Sequence, residues 1–209
     1  MDIQLKDYTK EFHKSMVLDH INLELTDGKV YGLYGENGSG KTMLMRAISG
    51  LIYPKEGCVL VNGEELGRKE NFPEKLGLLL ETPYFFSDYT GFQNLKLIAS
   101  IRNLISDKDI CDCINRVGLD SNDKRKFRKY SLGMKQRLGI AAAIMEDPDL
   151  LLLDEPFNAI DEKSIKGIED IILSFRKPGR IVIISCHDME KLENISDEII
   201  KISGGRLTE

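Results

Sequence analysis

The sequence predicts an α/β protein: a mixed, mostly parallel sheet with an antiparallel β part at the N-terminus and a helical subdomain inserted at about residues 82–143. Three observations predict it. The apolar runs Leu76 to Leu80, Leu150 to Leu153 and Ile181 to Ile184 have strand length and no polar face, as strands covered on both sides do. A glycine-rich loop, Gly35-Glu36-Asn37-Gly38-Ser39-Gly40-Lys41-Thr42, separates strand-like Lys29–Tyr34 from helix-like Met43–Ile48. From Thr82 to about Ala143 apolar residues recur at helical spacing, at Phe92, Leu95, Leu97 and Ile98, then Ile110, Ile114 and Val117, then from Leu138 onward.

Taken in order, Ile21-Asn22-Leu23-Glu24-Leu25 alternates apolar and polar residues. Asp27-Gly28 then reads as a hairpin turn into the strand before the glycine loop, which predicts the N-terminal antiparallel part. The helix after the loop stops at Gly50 and Pro54, and Gly57 to Val61 is a short strand closed by the Asn62-Gly63 turn. Leu76 to Leu80 is expected to be covered on both faces and ends at Glu81. After the helical segment, Leu150 to Leu153 ends abruptly in Asp154-Glu155-Pro156, and Asp161 is placed to cap a helix from Glu162 to Phe175. Ile181 to Ile184 releases Ser185-Cys186-His187, and Ile199 to Leu207 reads as a closing hairpin around Gly204-Gly205. The 209 residues suit one α/β domain with an insertion.

The glycine loop carries chemistry. It matches G-x-x-x-x-G-K-[ST] in the strand–loop–helix context the pattern needs. Glycines let successive backbone N–H groups turn inward around phosphate oxygens, and the helix N-terminus adds positive partial charge there. Lys41 would reach the β- and γ-phosphates, and the Thr42 hydroxyl would ligate Mg²⁺. Parallel strands bring the loop, Asp154-Glu155 and His187 to one sheet edge, where open α/β sheets bind ligands. A nucleotide kinase would share the loop, but no acceptor site or arginine-rich lid is announced.

Composition narrows the rest. A net charge of −5 with interspersed signs argues against a nucleic-acid binder, and the basic run Lys124 to Lys129 reads as a solvated loop. Cys58, Cys111, Cys113 and Cys186 show no zinc or disulfide spacing, which points to a reducing compartment. No signal sequence opens the chain, and no apolar run approaches the ~18 residues that span a bilayer, so action at a membrane would require another chain to cross it.

With these motifs in place, the chain resembles the ATP-binding subunit of an ATP-binding-cassette (ABC) transporter, whose core is a P-loop NTPase fold. Tyr130-Ser131-Leu132-Gly133-Met134-Lys135-Gln136-Arg137 looks like the family signature L-S-G-G-Q and its following Q-Q-R, ahead of the Leu150 to Glu155 strand. The resemblance implies Mg²⁺-dependent ATP hydrolysis and a head-to-tail pair of cassettes, identical or not, each ATP lying between one phosphate loop and the other chain's signature. Ser131 and the Gly133 N–H would then reach the γ-phosphate from across the interface. Thr42 and Asp154 would hold Mg²⁺, Glu155 would polarise the attacking water, His187 would contact the γ-phosphate, and Phe12 would stack on the base. Asn158-Ala159-Ile160-Asp161 resembles the loop that crosses that interface.

The chain also departs from the pattern. Leu132 and Met134 replace a signature glycine and glutamine, and Glu81 stands where the family has a glutamine that touches Mg²⁺ and senses the membrane subunit. Glu81-Thr82-Pro83 together with the signature is similar to exporters that give resistance to bacitracin and lantibiotic peptides. The aromatics Tyr84, Phe85, Phe86, Tyr89 and Phe92 are expected either to pack within the helical subdomain or to form a groove for a short helix of the membrane subunit. The implied partners are a second cassette and a separate transmembrane permease, with this chain at the cytoplasmic face of the membrane. The competing reading is a soluble ABC ATPase acting in iron–sulfur assembly, on ribosomes or on DNA.

Overall fold

The computed structural model describes residues 1–67 and 73–208. Two sheets organise it. The first is antiparallel, built from β1 (Asp2–Phe12), β2 (Ser15–Thr26), β4 (Glu56–Val61) and β5 (Glu64–Glu65) in the order β2-β1-β4-β5. The second runs β10-β9-β3-β8-β7-β6, from β3 (Lys29–Tyr34), β6 (Leu76–Leu79), β7 (Leu150–Asp154), β8 (Ile181–Cys186), β9 (Glu198–Ser203) and β10 (Arg206–Thr208). All its pairings are parallel except the β9–β10 hairpin.

Period-two alternation divides β7 and β8 between two cores. Leu150, Leu152, Ile181 and Ile183 face the antiparallel sheet and α1 (Lys41–Ile48). Leu151, Leu153, Val182 and Ile184 face α2 (Gly91–Arg102), α3 (Asp107–Arg116), α4 (Leu132–Ile144) and α5 (Glu162–Ser174) as parts of one apolar cluster. A short α6 (Met189–Ile195) covers β3 and β8. Thr90 and Ser106 start α2 and α3 with reciprocal capping boxes, and Asp161 caps α5 as expected. The aromatics after Glu81 divide: Phe85 packs edge-on against Phe127 at 5.2 Å, whereas Tyr84 and Phe86 are exposed.

Two expectations are corrected. Asp27-Gly28 does make a turn, with Gly28 at φ +81°, but it carries the chain from one sheet to the other and closes no hairpin. Both edges of β3 are occupied by β8 and β9, and β2 pairs with β1 through a turn at His13-Lys14, where φ is +48° and +67°. Leu76 to Leu80 is likewise covered fully on one face only, its other face packing partly against the second core. Its strand is the sheet edge, so Gly77 and Leu79 are buried while Leu76 and Leu78 are only half-buried. α4 lies directly on this strand, since a Cβ at Gly77 would stand 2.1 Å from the Ala143 carbonyl oxygen.

Candidate nucleotide site

The parallel strands β3, β7 and β8 release their chains at one edge, and register sets which residues meet there: Tyr34 lies beside Cys186, and Asp154 beside Ser185. A cleft of about 620 Å³ opens at this edge, within the usual range for small-molecule sites. Glu36 to Gly38, Gly40 to Thr42, Glu81, Asp154, Glu155, Ala159 and Gly205 contribute to its walls, with Ser15, Met16 and Val17 of β2 on one side.

The loop has the conformation that glycine permits. Gly38 and Gly40 take φ of +80° and +117°, and a Cβ at Gly35 would fall 2.3 Å from the Ile202 carbonyl oxygen. The β9–β10 turn braces the loop from behind, Gly205 N–H donating to the Ser39 carbonyl at 2.8 Å. Lys41 is buried, and its ammonium donates to the Gly35 and Glu36 carbonyls at 2.6 and 3.1 Å. A lysine so held closes the loop around its own positive charge. The Ser39 hydroxyl is buried with no hydrogen-bond partner, against the Cα of Gly35 and away from the cleft walls.

At the end of β7, the buried Asp154 carboxylate accepts hydrogen bonds from the Thr42 and Ser185 hydroxyls. Among the described residues no basic side chain pairs with it. Two hard oxygen donors on adjacent elements, one of them a buried carboxylate, fit a magnesium ion.

Glu155 comes next, in the left-handed region at φ +48°, a conformation that costs a non-glycine residue about 1–3 kcal/mol. Its backbone is pinned on both sides. The N–H donates to Ser185 Oγ at 2.9 Å, and the carbonyl accepts from Gln136 Nε2 at 3.0 Å. The side chain is therefore turned into the cleft, with Oε2 3.1 Å from His187 Nδ1. Oε1 is buried without a hydrogen-bond partner, 3.8 Å from the Lys41 ammonium.

Several expected residues lie apart from this centre. Ser131 caps α4, its Oγ accepting the Met134 N–H at 3.2 Å, and Gly133 packs so closely on the following loop that a Cβ would stand 2.4 Å from the Ala159 carbonyl oxygen. Neither borders the cleft, although Leu132, Lys135 and Gln136 of the same helix do. Phe12 ends β1 beside the cleft wall, its Cα paired with Ser15, and the Lys10 ammonium lies 4.8 Å from its ring centre. Glu81, at φ +58°, reaches the cleft with its carboxylate bound by Arg46 at 2.8 Å.

Ser185 and Gln136 were not singled out from the sequence. No local pattern marks Ser185, because its importance comes from strand register. Gln136 sits inside the signature stretch, where only its neighbours carried a recognised role. Ser185→Ala would strip a hydrogen bond from buried Asp154 and leave the Glu155 N–H unpaired. A loss of about 1–3 kcal/mol in stability is expected, read from the urea midpoint.

Comparison with known proteins decides the family. A family profile described as ABC transporter matches residues 18–158. The chain belongs to the ABC transporter family. It is 47% identical over 205 residues to the uncharacterized ABC transporter ATP-binding protein YybJ of Bacillus subtilis (strain 168), covering 98% of this chain and 94% of that one. It is 39% identical over 211 residues to the bacitracin transport ATP-binding protein BcrA of Enterococcus faecalis, covering 99% and 68%. Among solved structures, the dimeric bacterial ABC transporter cassette MJ0796 shares the fold, with a TM-score of 0.90, 24% identity and coverage of 99% and 97%. As an ABC ATPase, this cassette is an ATP-binding domain.

Proposed function

We propose that this cassette hydrolyses ATP in a Mg²⁺-dependent reaction and so powers transport through a separate membrane permease. The observation that carries the reading is the Glu155 carboxylate. It is held between His187 and Lys41 in the same cleft as the phosphate loop, with its buried Oε1 making no hydrogen bond within the protein. The relatives' names support the transport role, and among the described residues no helix is long and apolar enough to cross a membrane.

In this reading the loop N–H groups from Gly35 to Thr42 cradle the triphosphate, and Lys41 leaves the loop carbonyls for the β- and γ-phosphates. Thr42 and Asp154 hold Mg²⁺, which when bound neutralises charge on the phosphate oxygens. Ser185 fixes Asp154 and the Glu155 backbone, so the strand end positions base and metal ligands together. Glu155 takes the proton of the attacking water, and His187 orients that carboxylate and contacts the γ-phosphate. Glu81 borders the metal side of the cleft, where release of Arg46 would free its carboxylate as a further ligand.

The whole chain acts as one cassette whose helical part, at about residues 82–143, carries the signature. Exposed Ser131 and half-buried Gly133, at the start of α4, serve the ATP of a partner cassette; the similar solved cassette MJ0796 is dimeric. Phe12 supplies the base platform from the rim of the cleft. The permease partner places the chain at the cytoplasmic face of the membrane. Export of a peptide antibiotic such as bacitracin is the substrate class that the relative's name supports.

Two measurements test this. Phosphate release should be abolished by EDTA and restored by added Mg²⁺, whereas turnover unaffected by chelation would exclude Thr42 and Asp154 as metal ligands. The chain expressed in its host should copurify from detergent extract with a polytopic membrane protein in stoichiometric amount. Recovery with only soluble partners would instead support a non-transport ATPase.

A further inference from the structure

We propose that Glu155, Cys186 and His187 form a second cation site, one that takes a thiophilic divalent ion of the zinc class and shuts the ATPase off. Their ligand atoms all lie within 4.8 Å of one another, although the three residues come from the ends of two strands. Register is the cause: β7 and β8 run in parallel with Asp154 beside Ser185, so Glu155, just past the end of β7, follows beside Cys186, the last residue of β8. His187 Nδ1 is already 3.1 Å from Glu155 Oε2.

The donor set differs in kind from the magnesium pair. Thr42 and Asp154 offer hard oxygens, whereas here a thiol and an imidazole join one carboxylate, a combination that favours zinc over magnesium. Three protein ligands leave a fourth position for water. A tetrahedral zinc ion, with bonds of roughly 2.0–2.3 Å, sets its donors about 3.3–3.8 Å apart, so the widest gap must close by about 1 Å. The half-exposed His187 ring has the freedom to supply that movement.

Cys186 is inert until the ion arrives. It is buried, burial raises its thiol pKa, and its sulfur accepts the Asp188 N–H at 3.4 Å. Binding exchanges the thiol proton for the metal: Cys–SH and M²⁺ give Cys–S–M⁺ and a proton released to water. Affinity therefore falls as pH falls, because the thiol must give up its proton. The same event occupies the Glu155 carboxylate, which can then no longer accept a proton from water. This inhibitory consequence rests on the role proposed above for Glu155; the binding itself does not.

The test uses Co²⁺ as a spectroscopic stand-in on the full chain without nucleotide. A near-ultraviolet thiolate-to-cobalt band is expected, saturating at one ion per chain and abolished by excess Zn²⁺. Cys186→Ser should remove the band, and His187→Ala, a change at an exposed position, should weaken Co²⁺ binding at least tenfold. A band that survives in Cys186→Ser belongs to Cys58, Cys111 or Cys113 and overturns the proposal, as does the absence of any band in the parent chain. In a parallel assay with Mg²⁺ in excess, Zn²⁺ should stop phosphate release by the parent, reversibly on chelation, and leave Cys186→Ser active. Equal inhibition of both would overturn the regulatory half. A parent with no ATPase activity would refute the proposed function while the cobalt result still decides the site.

Discussion

Glu155→Gln is expected to cut phosphate release by about 10²–10⁴-fold, the usual contribution of a positioned general base, while ATP binding persists. The amide has the same shape and keeps a polar contact with His187, so the pinned backbone at φ +48° and its bonds to Ser185 and Gln136 are undisturbed. What is lost is proton affinity at the buried Oε1, which lies 3.8 Å from the Lys41 ammonium. Removing a negative charge beside a triphosphate does not weaken its binding. With hydrolysis stalled, ATP should hold two cassettes together, visible in Mg-ATP as a species of twice the mass by size-exclusion chromatography with light scattering. Hydrolysis at the parental rate would remove Glu155 from its role. A variant that binds Mg-ATP yet stays monomeric would mean that two copies of this chain do not share the nucleotide.

Lys41→Ala should weaken ATP binding at least ~100-fold. Each charge-assisted hydrogen bond to a phosphate contributes roughly 1.5–3 kcal/mol, two are lost, and tenfold in affinity corresponds to about 1.4 kcal/mol. Unlike most lysines this one is buried, and it already bonds the Gly35 and Glu36 carbonyls. The substitution therefore also loosens the loop before any ligand enters. The core around α1 uses Leu44, Met45, Ala47 and Ile48, so the far-ultraviolet circular dichroism should be unchanged. Isothermal titration showing ATP affinity within tenfold of the parent would place the phosphates somewhere other than this loop.

The two outcomes separate binding from chemistry within one cleft. In the proposed reaction Lys41 would act on affinity, by reaching the ground-state phosphates, and Glu155 on turnover, because it would matter only as water attacks. Ser185 stands between them. Its hydroxyl ties Asp154 to the Glu155 backbone, so a change there should move stability and turnover together, without the pure affinity loss expected of Lys41.

Much of the site was legible because its chemistry lies in contiguous motifs. The loop from Gly35 to Thr42 and the acidic end of β7 announce themselves through glycine spacing and an apolar run that stops at two carboxylates. Strand pairing is harder to read. Asp27-Gly28 looks like a hairpin because turn formation is local, whereas its outcome depended on β8 and β9 having taken both edges of β3. Leu76 to Leu80 is as apolar as a central strand, yet lies at an edge and leaves Leu76 and Leu78 only half-buried. Tyr84 and Phe86 share the composition of Phe85 but not its burial.

By itself, the amino-acid order determined the alternation of strand and helix, the phosphate loop, the capped start of α5, and which carboxylates lie at the binding edge, because each is set by neighbours along the chain. Tertiary structure alone decided that Asp154 lies beside Ser185, that Glu155 meets His187 near a buried thiol, and that Gln136 reaches back from α4 to the Glu155 carbonyl. These contacts join residues 19 to 32 positions apart, and only the packing of parallel strands under helices chooses their register.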